Sequence, residues 1–104
     1  GIRTFEKATR NTLDLSVVPM IRNMSHLPII VDPSHATGKR FLVPIMARAA
    51  LVAGTHGLMV EMHPEPEKAL CDGAQSLTPD DFSRLMADLQ QLGSCLAHLG
   101  APQG

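Results

Sequence analysis

The chain has 104 residues, 44% of them hydrophobic and 18% charged, with a formal charge of -1, no Trp, no Tyr and three Phe. A chain of this size is one domain or a piece of one. None of its apolar runs reaches the length that crosses a bilayer, and a near-neutral sequence poor in aromatics lacks both the basic face and the stacking platforms of a nucleic-acid binder. Membrane and nucleic acid are therefore not expected as partners. The opening GIRTFEKATR is polar where a signal peptide would be apolar, and the two cysteines lie far apart, so a reducing, cytoplasmic setting is expected.

In chain order, GIRTFE reads as a loop leaving a strand that lies outside the chain. Ser16 then caps a short helix with Pro19 in its first turn, where a missing amide hydrogen is tolerated. Val17, Val18 and Ile21 form its apolar stripe, and it ends near Asn23. Leu27 to Val31 and Leu58 to Val60 are continuous apolar runs, partly β-branched, as expected of parallel strands covered on both faces. Phe41 to Ala53 between them suits a helix packed on a sheet, with Gly54 as its stop, so Pro28 to Val60 reads as a βαβ unit. Thr78 is a second N-cap, followed by Pro79 at the first helical position and by Asp80 and Asp81, which the helix dipole favours. Phe82, Leu85, Met86, Leu89, Leu92 and Leu96 follow at helical spacing, with Gly100 as the end. Two such strands leave two unpaired edges. Together with Gly1 in place of an initiator Met, this leads us to expect a fragment of a larger α/β domain, with residues 1–104 as one partial domain.

Chemistry-bearing residues gather where the two strands end, which is where loops of parallel α/β folds converge on ligands. Asp32 and His35 follow the first strand, Glu61 and His63 the second, and Asp72 stands further along that second loop. His, Glu and Asp are the donors of a divalent transition metal, and three protein ligands leave room for water or substrate. Each residue has a plainer role open to it. His35 can be a hydrogen-bonded histidine at a loop start, Asp32 a cap bonding downstream amides, and Asp72 before Gly73 a turn former. Glu61 is harder to explain away, because a carboxylate beside a buried strand needs a partner. Lys39 and Arg40 read as solvated charges, with phosphate contact as the alternative. His26, His56 and His98 read as structural or surface residues, and Cys71 and Cys95 as plain thiols, although Cys71 beside Asp72 could be reactive or an adventitious ligand.

Three stretches, GIRTFEKATRNTLDLSVVP, PIIVDPSHATGKR and GLMVEMHPEPEKALCDGAQSL, resemble the C-terminal part of 3-deoxy-D-arabino-heptulosonate 7-phosphate (DAHP) synthase, in the subgroup similar to 3-deoxy-manno-octulosonate 8-phosphate synthase. The resemblance covers nearly the whole chain and weakens in the final helix and the tail APQG. It implies a (β/α)8 barrel of which this chain holds the sixth helix and strands seven and eight with their helices. It implies a metal-dependent condensation of phosphoenolpyruvate with erythrose 4-phosphate that releases phosphate, at the entry to aromatic amino-acid synthesis. His35, Glu61 and Asp72 match three metal ligands of the family, for an ion of the Mn, Fe, Co or Zn class. The family's fourth ligand, a first-strand cysteine, has no counterpart here.

The same resemblance puts Arg3 and Thr4 near the substrate phosphates and Asp32 beside the metal and the aldehyde, which makes Asp32 and His35 the catalytic candidates. The family's phosphoenolpyruvate-binding Lys and Arg cluster is not found in this sequence, and Cys71 stands where the family commonly has Ser. The octulosonate enzyme and a non-catalytic assembly or regulatory piece are the competing functions, and GIRTFE favours the heptulosonate enzyme. The expected partners are the two substrates, together with the barrel segment the chain lacks or a second copy of itself. The isolated chain is expected to be inactive.

Overall fold

The structure is a computed structural model that describes residues 1–69, 71 and 73–100. Helix α1 runs Val17–Met24, one residue beyond the expected end, and buries Val18. Ser16 does not cap it. Ser16 is itself in helical conformation and makes no side-chain cap bond; instead its amide and its hydroxyl both donate to Asp14 Oδ1, at 3.0 and 2.6 Å. A carboxylate two residues upstream competes for the same groups and turns the chain before the helix begins.

The two expected strands form and pair in parallel, but both are short. β1 is Ile30–Val31 and β2 is Gly57–Leu58, in the register Ile30↔Gly57 and Val31↔Leu58. The ladder cannot start earlier because Pro28 has no amide hydrogen, the Leu27 amide is taken by Ser25 Oγ and the Ile29 amide by His56 Nδ1. It ends where Met59 N donates to Val31 O at 2.9 Å, since the chain then leaves β1 for helix α2, Pro33–Thr37. Beyond β2 the chain finds a different neighbour: His63 N donates to Leu77 O and Leu77 N to Glu61 O, both at 2.9 Å, around a parallel bridge between Met62 and Leu77.

Helix α2 was not expected. It begins with Asp32 as N-cap and Pro33 at the first position, and ends at Gly38, whose φ of 67° only glycine adopts readily. A single tight turn at Arg40–Leu42 leads into helix α3, Val43–Ala53, so Phe41 lies just outside the helix proper. Gly54 stops α3 as expected, with φ 101° and its amide returning to Ala50 and Leu51 carbonyls. Helix α4, Pro79–His98, is the expected last helix: Thr78 Oγ1 accepts from Asp81 N at 3.2 Å, and Leu85 and Leu96 are buried.

The core has two parts that share Leu58. Val18, Val31 and Ala50 pack with Leu13, Leu15, Ile29 and Ala53 on one side, and Val43, Ala47, Leu77 and Leu85 with Val60 and Leu89 on the other. Both lie on one face of the strand pair, covered by α1, α3 and α4. Side chains alternate along extended backbone, so Ile30 and Met59 point to the opposite face and are 56% and 55% exposed. The expectation that neither strand faces water therefore fails for the described chain, because this face has no covering layer here. Among the described residues no helix is long and apolar enough to cross a membrane.

Candidate active site

Asp32 ends β1 and opens α2, and both of its carboxylate oxygens are spent on His35. Oδ1 accepts from the His35 amide at 2.9 Å, and Oδ2 lies 2.6 Å from His35 Nδ1. Capping and orienting are thus one function: the cap fixes the helix turn that aims the imidazole, and the same carboxylate holds the ring. A carboxylate at Nδ1 assigns the ring proton to that nitrogen. Nε2 faces Glu61 Oε1 at 3.4 Å.

Glu61 reaches this place through the sheet. Ser34 and Glu61 each stand three residues beyond the register partners Val31 and Leu58. The Glu61 amide donates to Ser34 Oγ at 2.9 Å, and Ser34 is completely buried. The side chains of His35 and Glu61 are each 37% exposed, and that of Asp32 29%. The expectation of a carboxylate walled in beside a buried strand is corrected accordingly, since Glu61 is partly open to water.

An imidazole lone pair and a carboxylate oxygen facing each other repel unless a proton or a cation lies between them. Two ligands each ~2.1 Å from an ion at a tetrahedral angle stand roughly 3.4 Å apart, so the Nε2–Oε1 separation and the donor types fit a divalent metal. Among the described residues no group of three His, Cys, Asp or Glu side chains is placed to hold one. Asp72, the third expected ligand, lies outside the described residues.

The other sequence candidates sit elsewhere or do other work. His63 Nδ1 accepts from the Glu65 amide at 3.0 Å, a turn role. Arg3 and Thr4 lie on an exposed loop closed by the Ile2–Thr12 bridge, with Thr4 Oγ1 bonded to Thr12 Oγ1 and accepting from the Glu6 amide. Arg40 is not a solvated charge: its Nη2 donates to Gly73 O at 3.2 Å, and its Nε is buried without a partner among the described residues. His56 is structural through its bond from Ile29 N, His26 and His98 are exposed, and Cys71 and Cys95 are exposed free thiols.

Four residues escaped the sequence reading. Asn11 Nδ2 donates to His35 O at 2.9 Å, and its amide to Ala36 O at 2.7 Å. Arg10 Nη1 donates to the buried Gln75 Oε1 at 3.0 Å. Ser34 is the fourth. The available signal was small polar residues placed beside apolar runs, which is weak without knowledge of their partners.

A parallel β-α-β unit with an acid and an imidazole at one strand's carboxyl end and a second acid at the other's fits a segment of a (β/α)8 barrel with its chemistry at the usual end. Residues 1–98 match the DAHP synthetase I family, and the chain belongs to that family. It is 60% identical over 96 residues to the phospho-2-dehydro-3-deoxyheptonate aldolase of Thermotoga maritima, covering 92% of this chain and 28% of that protein. The 2-dehydro-3-deoxyphosphooctonate aldolase of Pelobacter propionicus is 36% identical over 91 residues, covering 77% of this chain and 33% of that protein. The crystal structure of the Thermotoga maritima DAHP synthase superposes with a TM-score of 0.85 at 57% identity, covering all of this chain and 30% of that one. The chain thus spans about a third or less of the length of these relatives.

Proposed function

We propose that the chain is the strand-seven and strand-eight part of a DAHP synthase, which condenses phosphoenolpyruvate with erythrose 4-phosphate and releases phosphate at the start of aromatic amino-acid synthesis. The observation that carries this is the pairing of His35 Nε2 with Glu61 Oε1 across two strand ends, in a chain far more similar to a heptonate aldolase than to an octonate aldolase. His35 and Glu61, with Asp72, would hold a divalent metal of the Mn, Fe, Co or Zn class, which when bound supplies Lewis-acid polarisation of the aldehyde carbonyl or orients the water that attacks C2 of phosphoenolpyruvate. Asp32 keeps the His35 ring in the tautomer that leaves Nε2 as donor, and it stands beside the acceptor aldehyde. Rigid strand ends hold these groups in place better than a free loop. Arg3 and Thr4 would meet the substrate phosphates once the rest of a barrel surrounds them.

Phosphate release, measured on the protein as the organism makes it with phosphoenolpyruvate, Mn2+ and either erythrose 4-phosphate or arabinose 5-phosphate, tests the reading. Erythrose 4-phosphate should be preferred, and His35→Ala should abolish both turnover and stoichiometric Mn2+ binding. Preference for arabinose 5-phosphate would assign the chain to the octulosonate enzyme, and undiminished Mn2+ binding by His35→Ala would refute the ligand assignment. The 104-residue chain alone should release no phosphate.

A further inference from the structure

Helix α2 is five residues long, and a helix leaves its last carbonyls without partners of its own. Gly38 N takes Ser34 O at 2.9 Å, but the chain then turns away at φ 67°, and Lys39 N goes to Thr37 Oγ1 rather than back to His35 O. The three carbonyls that follow are met in order by one segment. Asn11 Nδ2 donates to His35 O at 2.9 Å, Asn11 N to Ala36 O at 2.7 Å and Arg10 N to Thr37 O at 3.0 Å. Ala36 and Thr37 are buried, so water is poorly placed to take over. The segment is itself anchored next door: Thr12 exchanges two backbone bonds with Ile2, at 2.7 and 2.9 Å, just ahead of Arg3 and Thr4. Gly1 packs so closely here that a Cβ on it would stand 3.1 Å from the Cβ atoms of Asn11 and Ala36.

We propose that Asn11 is a positioning residue for His35, closing the C-terminal end of the helix whose N-cap, Asp32, holds the ring. This rests on the metal reading above. Asp32 fixes the His35 amide and imidazole, and Asn11 fixes the carbonyl of the same residue. The peptide groups on both sides of the His35 Cα are therefore tied, and these bonds set the direction of the side chain in a helix too short to persist alone. The Asn11 amide must present its nitrogen there, because a carbonyl oxygen can only accept. Of the three bonds along the end of α2, this one comes from a side chain, so substitution cuts it and leaves the two backbone bonds in place. The loop bearing Arg3 and Thr4 and the turn bearing His35 are thereby built on one frame.

The test uses the protein as the organism makes it, titrated with Mn2+ by calorimetry and with Co2+ by visible absorption, which follows coordination geometry, with apo-protein melting measured alongside. Asn11→Ala and Asn11→Asp should each weaken Mn2+ binding by about 10- to 100-fold, the loss typical when a group that orients a metal ligand is removed, and should shift the Co2+ bands. Asn11→Asp keeps the size of the side chain and exchanges only the donating nitrogen for an acceptor oxygen, so it gives the reading should Asn11→Ala fail to fold. Leu85→Ala, a core truncation in α4, should melt lower yet bind Mn2+ like wild type and keep the wild-type Co2+ spectrum. Wild-type affinity in both Asn11 variants, with affinity lost in His35→Ala, would overturn the positioning role and leave the ligand assignment intact. Wild-type affinity in His35→Ala would remove both. A loss in the Asn11 variants that Leu85→Ala matches, or that comes with an unchanged Co2+ spectrum, would make Asn11 a residue of the fold only and overturn the proposal as well.

Discussion

Ser34→Ala isolates one bond and asks whether it holds a strand end. Ser34 is completely buried at the second position of α2, and its Oγ is the acceptor for the Glu61 amide at 2.9 Å. Alanine fits the space but leaves that amide without its acceptor, a loss of about 1–3 kcal/mol. In a barrel-sized protein each kcal/mol moves the melting temperature by roughly 2–4 °C, so a drop of roughly 2–12 °C is expected. The more telling effect is local. The Ser34 bond draws the end of β2 against α2, where Glu61 Oε1 stands 3.4 Å from His35 Nε2. Released, the carboxylate should drift and Mn2+ affinity fall by about 10- to 100-fold.

Leu85→Ala is the control. Leu85 is buried in α4 in the core cluster with Val43, Ala47 and Leu77, and its truncation should cost about 2–5 kcal/mol with Mn2+ affinity intact. Urea melts and Mn2+ titration on both variants decide the matter. If Ser34→Ala melts within about 0.5 kcal/mol of wild type, the range of an inconsequential surface change, the bond does not hold the strand end. If Leu85→Ala loses as much affinity as Ser34→Ala, the effect is global softening.

Thr78→Ala removes the cap of α4, whose Oγ1 accepts from Asp81 N, and should cost about 1 kcal/mol, while Thr78→Ser should melt like wild type; equal melting of all three would remove the cap from the account. Gly54→Ala forces a Cβ onto φ 101° and within 3.3 Å of Arg22 Cδ, beside the bond from Arg22 Nη1 to Gly54 O, so about 1–2 kcal/mol should be lost; a neutral result would mean the α3 stop does not need glycine. The 104-residue chain by itself should scatter light with a mass above 11.2 kDa, because its bare sheet face and open strand edges seek cover; a monodisperse species of that mass would refute this.

What was legible was local. Thr78, Pro79 and the acidic first turn announce α4 within four residues, and Gly54 stops α3 where its sequence says, because caps and glycine stops depend on near neighbours. Ser16 was misread for the same kind of reason: Asp14, two residues away, competes for it. Strand lengths depended on what Pro28, Ser25 and His56 do to the ladder, and an apolar run carries no such information. α2 is five residues long, too short for periodicity, and only Asp32-Pro33 and Gly38 mark it in hindsight. In the site, the pairing of Asp32 with His35 follows once that turn is helical. The meeting of His35 with Glu61 depends on sheet register, and the Arg10–Gln75 bond joins residues 65 apart in sequence, where no local pattern reaches.

The geometry also explains why the site and the bare face belong together. Side chains on one face of an extended strand recur every second residue. Ile30 is followed on its face by Asp32, and Met59 by Glu61. The face that exposes apolar side chains along the strands therefore turns acidic at their carboxyl ends, where His35 joins it. Covering Ile30 and Met59, each just over half exposed, should contribute about 1 kcal/mol apiece at the usual gain for burying such side chains. Whatever supplies that cover must also rise past the ends of both strands and wall in Asp32, His35 and Glu61. Burial of this face and enclosure of the site are then coupled: apolar cover laid over Ile30 and Met59 also comes to lie beside the facing His35 and Glu61.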